Sequence, residues 1–294
     1  MKILIAGSSG FIGSRLVSVM DQQGHRVFSW PERIRNFGST EVSGPMSTSA
    51  NLSTEVANLL NETGCDAFVN LAWGGLPDYS PSTTARNAEL SVAIQQGWAQ
   101  SSCPLYVGFG SCLEYGRSQG PLNEISRSLD ADFFGKTKTW LLDHSRELAG
   151  QFEKRYLWIR PFWLFGPGQR EASLVPAALR SAREGRLLPL RTPDVFLDFL
   201  HVDDLCEALV GLIEQPYSKG VFNIGSGEPI RVGDIAQMVF SISTGDRLHH
   251  ISPTPEGKDA TWSTNRRLNK MFSWSPSRSI EQYVRDVILE QEPV

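Results

Sequence analysis

Apolar and polar positions follow two different periods along this chain, and the switches between them mark its elements. Lys2 is followed by Ile3, Leu4, Ile5 and Ala6, the continuous apolar run of a strand buried on both faces. Gly7-Ser8-Ser9-Gly10 turns the chain, and from Phe11 to Met20 the apolar residues Ile12, Leu16, Val19 and Met20 fall at helical spacing. Gly24 ends that helix, and Arg26–Trp30 predicts a second strand. Pro31 to Ser49 is rich in Gly, Pro, Ser and Thr and predicts no regular element. Ser53 is placed to cap a helix running through Asn61, with Val56, Leu59 and Leu60 turned inward. Strands over Asp66–Ala72, Leu105–Phe109 and Tyr156–Arg160 then alternate with helices over 82–100 and 136–149. This alternation predicts an α/β fold on a doubly wound parallel sheet. From Phe162 onward prolines loosen the pattern, leaving helices at 172–184, 203–214, 231–241 and 279–290 and strands at 195–200 and 221–224. The expected division is a domain over 1–161 and a smaller substrate-binding lobe over 162–294, with a gradual boundary and some segments returning to the first domain.

The first turn carries chemistry as well as structure. Gly7, Gly10 and Gly13 stand three apart between a strand and a helix. That context allows a tight turn, a close backbone approach to a pyrophosphate and close helix–strand packing. The helix N-terminus adds free N–H groups and partial positive charge for the phosphates. The stretch therefore predicts a dinucleotide site. Composition narrows the rest. A net charge of −4 without any basic block argues against a nucleic-acid partner. No apolar run reaches the roughly 18 residues of a membrane span, and the opening run is too short for a signal peptide. Cys65, Cys103, Cys112 and Cys206 are scattered without metal-ligand spacing and read as reduced thiols of a cytoplasmic protein. His249-His250 is the one close histidine pair, so no metal is expected.

Further motifs run the whole chain. They are Gly7-x-x-Gly10-Phe11-x-Gly13, Asn70-Leu71-Ala72 at a strand end, Gly110-Ser111-Cys112-Leu113-Glu114-Tyr115-Gly116 and Phe134-Gly-Lys-Thr-Lys138. Later come Arg160-Pro-Phe-Trp-Leu-Phe-Gly-Pro-Gly-Gln169, Asp198-Phe-Leu-His-Val-Asp-Asp204 and Phe222-Asn-Ile-Gly-Ser-Gly227. Together, in this order, they resemble the extended short-chain dehydrogenases/reductases, the group of nucleotide-sugar epimerases, dehydratases and 4-keto reductases. The loop details lie nearest to the 4-keto reductases of deoxysugars and to 4-epimerases. The resemblance implies a Rossmann-type sheet, a dinucleotide held by Gly7, Ser9, Gly10, Phe11, Ile12 and Gly13, and further cofactor contacts from Leu71, Ala72, Lys138, Pro161 and Phe162. It also implies a homodimer through the helices at about 82–100 and 136–149.

The family's chemistry uses a Tyr and a Lys four residues apart on one helix, about 400° of turn, so that both share a face. The ammonium lowers the phenol pKa and holds the nicotinamide ribose, and the phenol trades a proton with the substrate oxygen. A Ser or Thr at the preceding strand's end holds that oxygen. By position Ser111 is the hydroxyl and Lys138 the lysine, but the tyrosine position is Phe134. A benzyl ring has no proton to give. Three readings follow: a Tyr→Phe change introduced to trap a substrate complex, another proton donor drawn from Glu114, Tyr115 or Cys112, or a non-catalytic NADP-binding relative. Cys112-Leu113 replaces the Asp-Glu of the 4,6-dehydratases, and Leu113 replaces the cysteine of the 3,5-epimerases. A 4-keto reductase or a 4-epimerase remains.

Cofactor choice rests on the end of the second strand. The position of the acid that reads an NAD ribose falls at Trp30 or Pro31, with Glu32, Arg33 and Arg35 beyond. Arg33 and Arg35 favour NADP over NAD. On the substrate side the family's Asn is Trp163 and its diphosphate-binding Arg is Leu197. Both changes remove directional phosphate donors. Arg170, Arg180 or Arg191 could replace them, or the substrate is a carbonyl compound without a diphosphate. Trp73, Cys112, Glu114, Trp163, Arg170 and Arg191 are the expected substrate contacts, Trp73, Trp163 and Phe165 are candidates for an aromatic pocket, and Asp203 and Asp204 are expected to cap a helix. The expectation is NADPH-dependent reduction of a nucleotide-activated 4-keto deoxysugar, with a 4-epimerase retaining NAD as the nearest rival.

Overall fold

The computed structural model describes residues 1–30, 49–246 and 260–290. Arg33 and Arg35, with Pro31, Glu32 and the His249-His250 pair, lie outside these. The apolar run at the start forms strand β1 (Lys2–Ala6), and helix α1 (Phe11–Gln22) buries Gly13, Leu16, Val19 and Met20. Next come β2 (Arg26–Ser29), α2 (Ser49–Thr63), β3 (Ala67–Asn70), α3 (Pro81–Gln100) and β4 (Leu105–Phe109). A 3₁₀ turn over Cys112–Tyr115 and β5 (Gly120–Leu122) precede α4 (Phe133–Gln151) and β6 (Arg155–Pro161). The remaining elements are β7 (Trp163–Phe165), α5 (Leu174–Arg183), β8 (Phe196–His201), α6 (Val202–Glu214), β9 (Gly220–Ile224), β10 (Pro229–Arg231), α7 (Val232–Thr244), β11 (Ala260–Ser263), α8 (Arg266–Met271) and α9 (Ile280–Leu289).

Six strands form one parallel sheet in the order β2-β1-β3-β4-β6-β9. The reversal of direction from β1, outward to β2 and then across to β3, is the doubly wound arrangement the apolar runs predicted. The sheet holds together on one face through Leu4, Phe68 and Tyr106 packed on Val56, Trp98 and Trp30. Trp30 stacks on Phe68 with ring centroids 5.5 Å apart. Its side chain is thus a core side chain at the end of β2. The expectation for Ser53 is corrected. Helix α2 starts at Ser49, so Ser53 is a buried residue inside it and not its cap. The extra turn is held by Leu52, which joins the core. Helix α4 likewise starts earlier than its periodicity suggested, because Asp132 caps it by accepting a 2.8 Å hydrogen bond from Gly135 N–H.

Chain contacts divide the described residues into two compact units. The first takes in Met1–Arg117, Arg127–Arg160 and Leu209–Phe222, and the second Ser118–Ser126, Pro161–Ala208 and the stretch from Asn223 onward. The second unit carries the sheet β10-β8-β11-β5, with β7 paired to β8, and a core of Phe165, Val175, Leu179, Ile235, Val239 and Val284. Its strands β5, β7, β10 and β11 are only three or four residues long, too short to show a period of two. Asp203 and Asp204 do not precede α6 but lie in its first turn. Asp204 is buried there and accepts from Ser277 N–H, Arg278 N–H and the Arg278 guanidinium, tying a distant segment to the helix.

Candidate active site

Strand β1 ends at Ala6 and Gly7 takes φ +81°, a left-handed conformation that closes the turn back under the helix. Gly10 N–H donates to Gly7 O at 3.1 Å. A Cβ on Gly7 would stand 2.9 Å from the Leu71 backbone, and one on Gly13 only 2.1 Å from Gly7 O. Both glycines are therefore obligatory for the approach of loop, helix and the end of β3. Leu71 and Ala72 are brought to this loop by the sheet, with Leu71 N–H donating to Ala6 O. Gly10, the N-cap of α1, supplies no side-chain cap, and the first helical turn contains no acid. Ser9 and Gly10 are exposed, and Phe11 and Ile12 are half-buried. An uncapped, acid-free helix N-terminus beside a turn that Gly7 opens and Gly10 closes fits the pyrophosphate of a dinucleotide.

The end of β4 supplies the second part. Ser111 caps the 3₁₀ turn, its Oγ accepting from Leu113 N–H at 3.1 Å, which leaves the hydroxyl hydrogen to donate. Lys138 sits one turn after Phe134 on α4, and both are buried. The Lys138 ammonium donates to Phe109 O at 2.9 Å and lies 3.5 Å from the centre of the Trp73 ring. Burial pushes its pKa down to about 7, against a smaller upward pull from the Glu114 charge. Phe134 meets Trp73 edge-on at 5.4 Å and Tyr79 at 4.9 Å. Trp73, Phe109 and Lys138 line a cavity with Asn70, Gln95 and Tyr106. The Tyr106 hydroxyl accepts from Asn70 Nδ2 at 3.0 Å, and burial pushes its pKa up to about 12. Trp73 Nε1 is buried without a hydrogen-bond partner among the described residues.

Several expected contacts fall elsewhere. Glu114, expected as a substrate contact or proton donor, is fully buried and committed. Its Oε1 accepts from Ser111 N–H and Trp158 Nε1, both at 3.0 Å, and its Oε2 from Arg160 Nε at 2.8 Å. Its role is to fix the Ser111 turn. Ser111-x-x-Glu114 is the spacing of a capping box, so the signal lay in the sequence under a more chemical reading of the carboxylate. Tyr115 is buried and its hydroxyl accepts from Arg160 at 2.9 Å. Cys112 is buried too. Phe165 lies in the second unit's core against His201 and Tyr283, not in an aromatic pocket. In that unit Pro161 is half-buried, Phe162 is buried with its N–H on Ile224 O, and Trp163 is half-buried against Phe162. Arg170, Arg180 and Arg191 are exposed. Sequence reasoning missed Tyr79, in the loop that follows β3, and the pair Trp158 and Arg160 behind Glu114.

The sequence matches the NAD dependent epimerase/dehydratase family over residues 3–225. A relative from Bacillus subtilis, an uncharacterized UDP-glucose epimerase, is 22% identical over 96% of this chain and 95% of its own. The dTDP-4-dehydro-6-deoxyglucose reductase of Escherichia coli is 21% identical over 81% of this chain and 80% of its own. Among solved structures, RMD from Pseudomonas aeruginosa complexed with NADPH superposes with a TM-score of 0.77 at 19% identity, covering 98% of each chain. That likeness shows the same fold. This chain belongs to the NAD dependent epimerase/dehydratase family, whose members are epimerases, dehydratases and reductases of the short-chain dehydrogenase type. No helix among the described residues is long and apolar enough to cross a membrane.

Proposed function

We propose that this protein reduces the 4-keto group of a nucleotide-activated deoxysugar with NADPH. The observation that carries this reading is the buried Lys138 amine, set in a cavity at the ends of β3 and β4. When bound, the nicotinamide dinucleotide supplies a hydride or takes one. Gly7, Gly10 and Gly13 hold its pyrophosphate and Lys138 its ribose, with Leu71, Ala72, Pro161 and Phe162 as further contacts. The Ser111 hydroxyl, its oxygen already fixed by Leu113 N–H, donates to the substrate carbonyl. Trp73, Trp163, Arg170 and Arg191 recognise the sugar nucleotide. Residues 1–161 hold the cofactor and 162–294 contribute to substrate recognition.

The choice of NADPH is supported by the end of β2. Ser29 ends the strand and Trp30 follows it, and neither side chain carries a carboxylate for a ribose 2′-OH. Arg33 and Arg35 follow in sequence. A cytoplasmic homodimer completes the reading. The test is to release and identify any dinucleotide from the purified protein, then follow NADPH with UDP-, GDP- and dTDP-linked 4-keto-6-deoxyhexoses. Consumption of NADPH with one of these is expected. Tightly retained NAD together with interconversion of 4-epimers sinks the reductase reading in favour of a 4-epimerase.

A further inference from the structure

We infer that Lys138 itself exchanges the proton with the substrate oxygen in this protein, the task that a tyrosine at position 134 performs in the family. The inference rests on the proposed hydride-transfer reaction and deepens it. Phe134 has no exchangeable proton, and the three alternatives beside Ser111 in sequence are placed elsewhere. Both carboxylate oxygens of Glu114 are taken by Ser111, Trp158 and Arg160, and neither Tyr115 nor Cys112 lines the cavity that Lys138 lines. Among the residues lining the cavity, Lys138 and Tyr106 are the two that titrate, and burial pushes the Tyr106 phenol up to about 12, which makes it a far weaker acid than the Lys138 ammonium. The Lys138 ammonium has three N–H bonds, of which one goes to Phe109 O. The face of Trp73 covers another side, and Phe134 stands 5.6 Å away where a phenol would otherwise compete.

The groups bearing on this amine are few. The 3₁₀ turn brings Glu114, itself neutralised by Arg160 of β6, and β4 brings Tyr106. Helix α3 contributes the neutral Ser91 and Gln95, and the loop after β3 contributes Trp73 and, across Phe134, Tyr79. An amine brought close to neutrality by burial populates both forms at physiological pH, as a general acid–base needs. In reduction, hydride adds to the carbonyl carbon, the π pair moves to oxygen, and that oxygen takes one proton from the Lys138 ammonium. The amine left neutral regains a proton from water. In the reverse direction the neutral amine takes the hydroxyl proton as hydride leaves.

Two measurements test this. Lysine side-chain NMR on the dinucleotide-free protein, with Lys138 assigned through K138R, is expected to show one amine titrating near 7 and the others in the ordinary lysine range. In turnover, the reduction rate is expected to fall as pH rises through that same value, because the acid form is lost. K138A is expected to lose about 10²–10⁴-fold in kcat and to be partly rescued by added primary amines, while folding and dinucleotide affinity are checked separately. Rescue is a response that a lysine serving only to hold ribose does not give. Y79F is expected to keep most of the rate. A Lys138 amine titrating with the surface lysines, absence of amine rescue, or loss of turnover in Y79F overturns the proposal while leaving the reductase reading intact. Absence of turnover with every sugar nucleotide, in the Phe134 chain and in F134Y alike, removes the reductase reading and this proposal with it.

Discussion

The guanidinium of Arg160 is buried against Glu114, with N···O contacts of 2.8 Å, and donates as well to the Tyr115 hydroxyl. Removing one charge of such a pair costs far more than the pair contributes, because the partner is left charged in a low-dielectric site. E114Q keeps the size of the side chain and one acceptor oxygen. Its amide hydrogens, however, confront the guanidinium or the Ser111 N–H and Trp158 Nε1–H that Glu114 now satisfies. We expect E114Q to lower unfolding free energy by about 3–5 kcal/mol in chemical denaturation. The double change E114Q/R160M removes the stranded charge and should recover much of that loss. Equal stability of E114Q and the natural chain would show that the carboxylate is not the anchor of the Ser111 turn. The same residue shows why a site is harder to read than a fold. A carboxylate three residues after an expected active-site serine has a chemical and a structural reading at the same spacing. Only the positions of Trp158 and Arg160, more than forty residues away in sequence, decide between them.

At the scale of elements, the first strand, turn and helix were legible because their determinants are local. Ile3–Ala6, bounded by a glycine turn, reads as a doubly buried strand, and Gly7 and Gly13 mark contacts that no side chain permits. G13A makes this quantitative. Its methyl group would lie 2.1 Å from Gly7 O, and the obstacle is backbone rather than a flexible side chain. The helix must therefore move away from the strand end. We expect loss of measurable dinucleotide binding by calorimetry together with a lowered Tm, whereas substitution at Gly24, where a Cβ meets nothing within 4 Å but φ is +77°, should lower Tm through backbone strain and leave binding unchanged. Normal affinity in G13A would place the dinucleotide elsewhere. Other elements were illegible for equally physical reasons. Helix α2 depends on the burial of Leu52 rather than on a cap at Ser53, and the strands of the second unit are held by pairing partners distant in sequence, such as β5 on β11. That the side chain of Trp30, directly after β2, enters the core was likewise invisible, because it depends on Phe68 of β3.

At the scale of the whole molecule, the chain order and the compact units do not coincide. The first unit needs Leu209–Phe222, which the chain supplies only after Pro161–Ala208 have entered the second. This segment brings the second half of α6 and most of β9, the sixth strand of the parallel sheet. Val221 packs with Leu141, Leu142 and Trp158, and the Arg155 guanidinium donates to the Gln215 and Ile213 carbonyls. A fragment of residues 1–161 lacks all of this. It leaves the N–H and C=O groups of β6 as an open sheet edge and bares the apolar side chains that Leu209, Leu212 and Ile213 otherwise keep from water. We expect that fragment to self-associate in size-exclusion chromatography and to melt without a cooperative transition. Residues 1–160 joined through a flexible Gly/Ser linker to 209–222 should restore both the closed edge and the cooperative melt, because a linker of that kind adds little strain and closure entropy grows slowly with its length. A monomeric, cooperatively melting 1–161 fragment would mean that five strands suffice for the sheet. Dinucleotide binding by the joined fragment but not by 1–161 alone would show that β9 supports the Gly7–Gly13 cradle through the sheet, since β9 and β1 lie three strands apart along β6, β4 and β3.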